Sequence, residues 1–240
     1  MPSVELTAHE AELWLSAGRL EIYLSKTGGD LQRALRLYDW NAKVTAACLQ
    51  DLGHLEVLIR NSYDRPLNLA SPDWSSANDP IWSRETGIRK TRTKQAENNS
   101  YTKKRLNAAR AKAPRSTHGH TVANLTFGFW TALTQSEREA TIWTPILSSL
   151  FPGTPRGPIH DRMEKLNRFR NRLAHWEPVF SRTTGLMRQL TNVDSLFADL
   201  SPAVARWVGD HSAVISLIQA SPEPLLSPPP ATYLGISRNS

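Results

Sequence analysis

Arg170, Asn171 and His175 fall within one six-residue stretch, Arg170-Asn171-Arg172-Leu173-Ala174-His175. Their side chains suit phosphodiester chemistry. A guanidinium holds two phosphate oxygens and stabilises charge that grows in a transition state. An imidazole takes or gives a proton near neutral pH. RNA supplies its own nucleophile, the 2′-hydroxyl, so such a set needs no metal. The apolar spacing predicts a helix over 159–176, closed by Pro178. At about 100° per residue, Met163, Leu166, Arg170 and Leu173 share a stripe. Arg170 is therefore expected in the middle of an apolar face, where an unpaired cation is costly. Asn171 and His175, four apart, are neighbours on the adjacent face. Arg followed five residues later by His also arises by chance, so an Arg–Glu network with Glu177 and a solvated His175 remains the alternative.

The formal charge is +7. Between Arg84 and Arg115 stand 11 lysines and arginines against two acids, Glu85 and Glu97. That segment supplies the whole excess and leaves the rest of the chain slightly acidic. Arg89, Lys90, Arg92, Lys94, Lys103, Lys104 and Arg105 are its candidate contacts to a polyanion, which such blocks attract by counterion release. The alternative is a solvated loop without a partner. A helix over 97–112 would have little to bury beyond Tyr101, Leu106 and scattered alanines. The reading is thus a basic, partly disordered loop insertion at about 71–120.

Helical periodicity dominates elsewhere, and no stretch alternates convincingly as a strand. One helix is expected over 8–25, with Thr7 and Glu10 forming a capping box and the stripe Ala11, Trp14, Leu15, Gly18, Ile22. Another runs from an Asp30 N-cap to about Tyr63. Thr121 to Leu133 reads as one apolar helix whose Phe127, Phe129 and Trp130 either pack in the core or stack on bases. Further helical segments are expected at 142–151, 185–197 and 201–220. The fold class is all-α, with one domain over 1–220 and a disordered, Pro-rich C-terminal tail over 221–240. The single cysteine, Cys48, cannot form an intrachain disulfide and reads as a buried hydrophobe in a reducing compartment. No signal peptide or membrane span is apparent, so a cytoplasmic location is expected. His118 and His120 flank Gly119, but no further metal ligands accompany them, so no metal or other cofactor is expected.

Several separated motifs resemble the Abi-like (abortive infection) proteins, a branch of the HEPN superfamily. They are 16–23 (SAGRLEIY), 34–41 (ALRLYDWN), 55–61 (LEVLIRN), 125–130 (LTFGFW), Phe151-Pro152, and Leu166 through Arg170-Asn171-Arg172-Leu173-Ala174-His175-Trp176-Glu177-Pro178. They occur in the family's order across residues 10 to 210. The resemblance implies a HEPN-like helical bundle in which Arg170, Asn171 and His175 match the Arg-polar-x-x-x-His signature. Active members cut RNA without metal, usually at a cleft between two copies, and Abi-like proteins are linked to bacterial phage defence. The implied function is a metal-independent endoribonuclease toxin, with RNA as partner, a homodimer and an RNA or protein antitoxin as further partners. The alternatives are a non-catalytic RNA-binding protein in phage defence or a toxin–antitoxin pair, and a purely structural interaction protein. Two features depart from the family. Trp176 stands where a second His is frequent, and the basic stretch has no counterpart role. Glu56 and Arg60, four apart, read as a helix ion pair. The resemblance instead suggests that Glu56, Arg60 and Asn61 support the Arg170 site, with Glu177 beside it.

Overall fold

The computed structural model describes residues 5–112, 117–181, 185–224 and 232–237. The chain is predominantly helical, as expected; the described strands are the two-residue antiparallel pair β1 (Thr232–Tyr233) and β2 (Ile236–Ser237). No described helix is long and apolar enough to cross a membrane.

The N-terminal helix is two helices, α1 (Ala8–Leu15) and α2 (Ala17–Leu24), because Ser16 adopts φ 65°. The Thr7–Glu10 capping box is present. The break changes the buried face: Ala11, Leu15 and Leu20 form a small cluster, while Trp14 and Ile22 are exposed. The axis of the fold is α3 (Leu31–Ala70), whose first turn is capped by the Asp30 carboxylate accepting the Arg33 N–H at 2.9 Å. Its buried stripe includes Ala34, Leu37, Val44, Cys48, Leu52, Leu55, Ile59, Tyr63 and Leu67. Along that stripe pack α2, α7 (Arg156–Ala174), α8 (Leu186–Leu200) and α10 (Val214–Gln219). The helix continues past Tyr63 through Pro66, which removes one backbone donor. Tyr63 and Leu67, both fully buried, hold the two sides of that gap in the core.

The segment 71–120 is not mainly loop. After a 3₁₀ turn at Pro80–Ser83 it forms α4 (Arg89–Lys112), a 24-residue helix, and enters α5 (His118–Ala123). Residues 113–116 lie outside the described residues. Helix α4 buries a largely polar stripe: Gln95, Asn99 and Thr102, followed by Leu106 and Ala109. Buried polar groups need partners, and these have them. The Gln95 amide accepts the Thr86 N–H at 2.7 Å, and Asn99 donates to the Arg84 carbonyl at 3.3 Å. From the far side Arg138, 1% exposed, donates to Asn99 Oδ1 and, at 2.8 Å, to Thr102 Oγ1. Its guanidinium lies 5.8 Å from the Trp82 ring centroid. Burial lowers its pKa to about 10, with Glu137 acting in the opposite direction. The first half of α4 is thus held by hydrogen bonds, and its last turns by Leu106 and Ala109 in the core.

The expected helix over 121–133 is interrupted at Asn124, giving α5 and α6 (Phe127–Ala132). Phe127, Phe129 and Trp130 are buried, and Phe129 stacks on Trp74, so all three pack in the core. A π-type turn at Glu139–Leu147 leads towards α7. The final helical segment divides into α9 (Pro202–His211) and α10 at Ser212. The expected disordered tail is docked where it is described. Glu223 pairs with Arg33 at 2.8 Å, Tyr233 donates its hydroxyl to Asp51 at 3.0 Å, and the Leu234 N–H donates to Asp194 at 2.8 Å. The remainder of that expectation, residues 225–231 and 238–240, lies outside the described residues.

Candidate functional site

Helix α7 buries Ile159, Met163, Leu166, Phe169 and Leu173. Phe169, and not Arg170, occupies the core position in its last turns. Arg170 is exposed, which corrects the expectation of a cation within the apolar face. The backbone of Arg170 starts on the core side, and its long side chain carries the charge out to solvent. There it acts on Glu56 of α3. Burial raises the Glu56 carboxyl above its usual range, while Arg170, Arg60 and the Phe127 backbone N–H oppose that rise. Arg60 also donates to the Ala123 carbonyl at 3.3 Å. Glu56, Arg60 and Arg170 therefore converge where α3, α7 and the start of α6 meet. Asn61 is exposed and makes no hydrogen bond to this group among the described residues.

Asn171 and His175 are both exposed. They lie four apart at the end of α7 and so are neighbours on one face. Arg170 and His175, five apart, diverge by about 140° around the axis, with Asn171 between them. The His175 imidazole makes no hydrogen bond or ion pair to another described residue. Its backbone is fixed. The Trp176 N–H donates to Leu173 O at 2.9 Å and the Glu177 N–H to Arg172 O at 3.1 Å, the pair of bonds of a Schellman C-cap. Trp176 takes the left-handed position at φ 57°, where glycine is usual, so the turn is strained. Glu177 pairs with Arg172 at 2.8 Å, not with Arg170. Arg19 of α2 donates to the His175 carbonyl at 3.3 Å. Asn41 of α3 accepts the Val179 N–H at 2.7 Å inside the core. Three helices thereby set the turn that presents His175.

The basic helix reaches the same region. A Cβ built on Gly128 would stand 3.5 Å from both Arg105 Nη1 of α4 and Asn167 Nδ2 of α7. Asn167 lies one turn before Arg170 and Asn171. Gly128, at the start of α6, thus faces one side chain from α4 and one from α7. Arg105 stacks on Tyr101 with its guanidinium carbon 4.2 Å from the ring centroid, donates through Nη2 to the Tyr101 hydroxyl, and keeps Nη1 buried without a hydrogen-bond partner. Lys103 is tied to Ser83 Oγ at 2.8 Å, whereas Arg89, Lys90, Arg92, Lys94 and Lys104 are exposed. On the helical wheel Lys90, Lys94, Arg105 and Lys112 fall within roughly 60°, forming one cationic edge along α4.

Sequence reasoning did not find Asn167, Arg19, Asn41 or the junction at Gly128. Arg19 and Asn41 lie in two of the motifs that carry the family resemblance, but nothing local shows that either reaches the 175–179 turn. His118 bonds through Nε2 to Asp64 Oδ1 at 2.8 Å and through Nδ1 to Ser75 Oγ at 3.0 Å. These are the residue types of a charge relay. Ser75, however, is buried, and Asp64 also accepts the Trp74 indole N–H at 2.9 Å, so the trio fastens α5 to the end of α3. No group of three or more His, Cys, Asp or Glu side chains among the described residues is placed to hold a metal ion. No family model, no curated protein and no solved structure matches the chain.

Proposed function

We propose that this protein acts on RNA as a metal-independent endoribonuclease of the HEPN type, in the manner of the Abi-like defence proteins its motifs resemble. The observation that carries the reading is the setting of Gly128, which faces both Arg105 on the cationic edge of α4 and Asn167 of α7, one turn before Arg170 and Asn171. One helix attracts a polyanion, and the other carries the guanidinium, the carboxamide and, beyond them, the imidazole. In this reading Arg170 holds the scissile phosphate and Asn171 orients it. His175 takes the 2′-hydroxyl proton or protonates the departing 5′-oxygen. The 2′-oxygen bonds to phosphorus as the 5′-oxygen leaves, giving a 2′,3′-cyclic phosphate. Glu56 and Arg60 steady Arg170. The divergence of Arg170 and His175 on one helix fits a cleft shared by two copies.

The test is incubation of pure protein with cellular RNA in EDTA. Cleavage by the wild type that is lost in His175→Ala and Arg170→Gln is the expected result. Equal cleavage by wild type and His175→Ala would remove His175 from the mechanism. One observation favours a second reading, a non-catalytic RNA-binding protein: Arg170 is already engaged by Glu56 and points well away from His175. That reading gives binding with a steep salt dependence and no cleavage. Neutralising bases along α4 would then flatten the salt slope.

A further inference from the structure

Arg105, Ala108, Ala109 and Lys112 follow one another at threes and fours on α4, so they share an edge of the helix. Two small residues between two cations leave a hollow. Opposite it, the corner between α5 and α6 supplies Asn124 and Thr126 as polar groups and Leu125 and Phe129 as apolar ones. The result is a cavity of about 270 Å³, just below the roughly 300 Å³ at which sites for drug-sized ligands begin. It is large enough for one nucleoside and too small for a base pair.

The chemistry of the wall is divided. Ala108, Ala109, Leu125 and Phe129 make an apolar floor suited to the face of a base. Arg105 and Lys112, two turns apart, bracket it with positive charge. The Asn124 side-chain N–H donates to the His120 carbonyl at 2.8 Å, which turns its carbonyl oxygen into the available acceptor. Thr126 makes no side-chain cap bond to α6, so its hydroxyl is free to donate or accept. Arg105 Nη1 is buried without a hydrogen-bond partner. A native structure rarely leaves such a group unpaired without a reason. Stacking on Tyr101 holds the Arg105 guanidinium at the edge of the cavity.

We infer that this cavity takes one unpaired ribonucleotide, its base on the Ala108–Phe129 floor, its phosphates at Arg105 and Lys112, and its base edge donating to Asn124. The assignment rests on the RNA reading above, because it makes the occupant a nucleotide next to the one handled by Arg170 and Asn171. Asn167 and Arg105, which both face Gly128, lie between the two positions.

The test uses the full chain and NMR titration with 5′-AMP, 5′-UMP and inorganic phosphate, followed at the Leu125 and Phe129 amides. Both mononucleotides should bind at least tenfold more tightly than phosphate. Arg105→Gln should weaken all three ligands. Ala108→Leu fills the hollow from an exposed, helix-compatible position, so it should abolish mononucleotide binding without lowering the melting temperature. Ala96→Leu, exposed on α4 away from the cavity, should change nothing. Equal affinities for mononucleotide and phosphate, no response at millimolar nucleotide, or an unaffected Ala108→Leu would each overturn the assignment. Binding of a short labelled single-stranded RNA separates the two proposals. RNA binding untouched by Ala108→Leu would remove the cavity and keep the RNA reading. Mononucleotide binding without RNA binding would retire the RNA reading and leave a nucleotide site.

Discussion

Replacing Arg138 with methionine should loosen α4 without unfolding the bundle. Burial holds the Arg138 pKa at about 10, well below the ordinary guanidinium value. At about 1.4 kcal/mol per factor of ten, the site disfavours the cation by roughly 3 kcal/mol relative to water. Methionine is of similar length and relieves that penalty. It also removes the donors to Asn99 and Thr102. Hydrogen bonds from a charged donor contribute about 1.5–3 kcal/mol each, so the loss is about 3–6 kcal/mol. The net destabilisation is therefore about 1.5 kcal/mol, the middle of that difference, and it should be local, because Leu106 and Ala109 are the apolar residues that α4 buries. Hydrogen exchange followed by mass spectrometry is the direct assay. Amides over 95–109 should exchange about ten- to thirtyfold faster in Arg138→Met, as expected for 1.4–2 kcal/mol, while those of α3 stay protected. Arg138→Lys, which keeps the charge but not the forked donors, should fall between the two. Unchanged exchange in α4 would refute the claim that this buried cation and its neutral acceptors hold the helix.

Two other outcomes follow from the site. Burial raises the Glu56 carboxyl from its ordinary 4.5 against the pull of Arg170, Arg60 and the Phe127 N–H. An acid with a raised folded-state pKa contributes stability that is full below the unfolded value and is lost as pH rises through the folded value. Glu56→Gln, neutral throughout, should match the wild type near pH 4 and exceed it at pH 7 in urea denaturation. A wild type that gains on the variant between those pH values would show that the arginines outweigh burial. Asn41→Leu should cost about 1–3 kcal/mol, because it leaves the buried Val179 N–H without its acceptor. The same change should move the His175 ring resonances in NMR; an unmoved His175 would mean that Asn41 does not set that turn.

Much of the local structure was legible because its determinants are near in sequence. The Thr7–Glu10 box and the Asp30 cap lie within three residues of what they cap. The long stripe of α3 and the concentration of charge between Arg84 and Arg115 can be read by eye. So can the spacing that makes Asn171 and His175 neighbours. What local pattern could not reveal depends on partners distant in sequence. Helix α4 looked to have little to bury because its buried face is largely amide and hydroxyl, and the guanidinium that satisfies it comes from Arg138, 39 residues beyond Asn99. Arg170 looked buried because the wheel assigns a face but cannot say where the neighbouring helices end. Phe169 takes the core and Arg170 leaves it. Glu56 and Arg170 are brought together by the packing of α3 and α7, and Arg105 and Asn167 come from different helices to face the same glycine. Periodicity tells which side of a helix seeks the interior. Only the packed chain decides which charges that interior brings face to face.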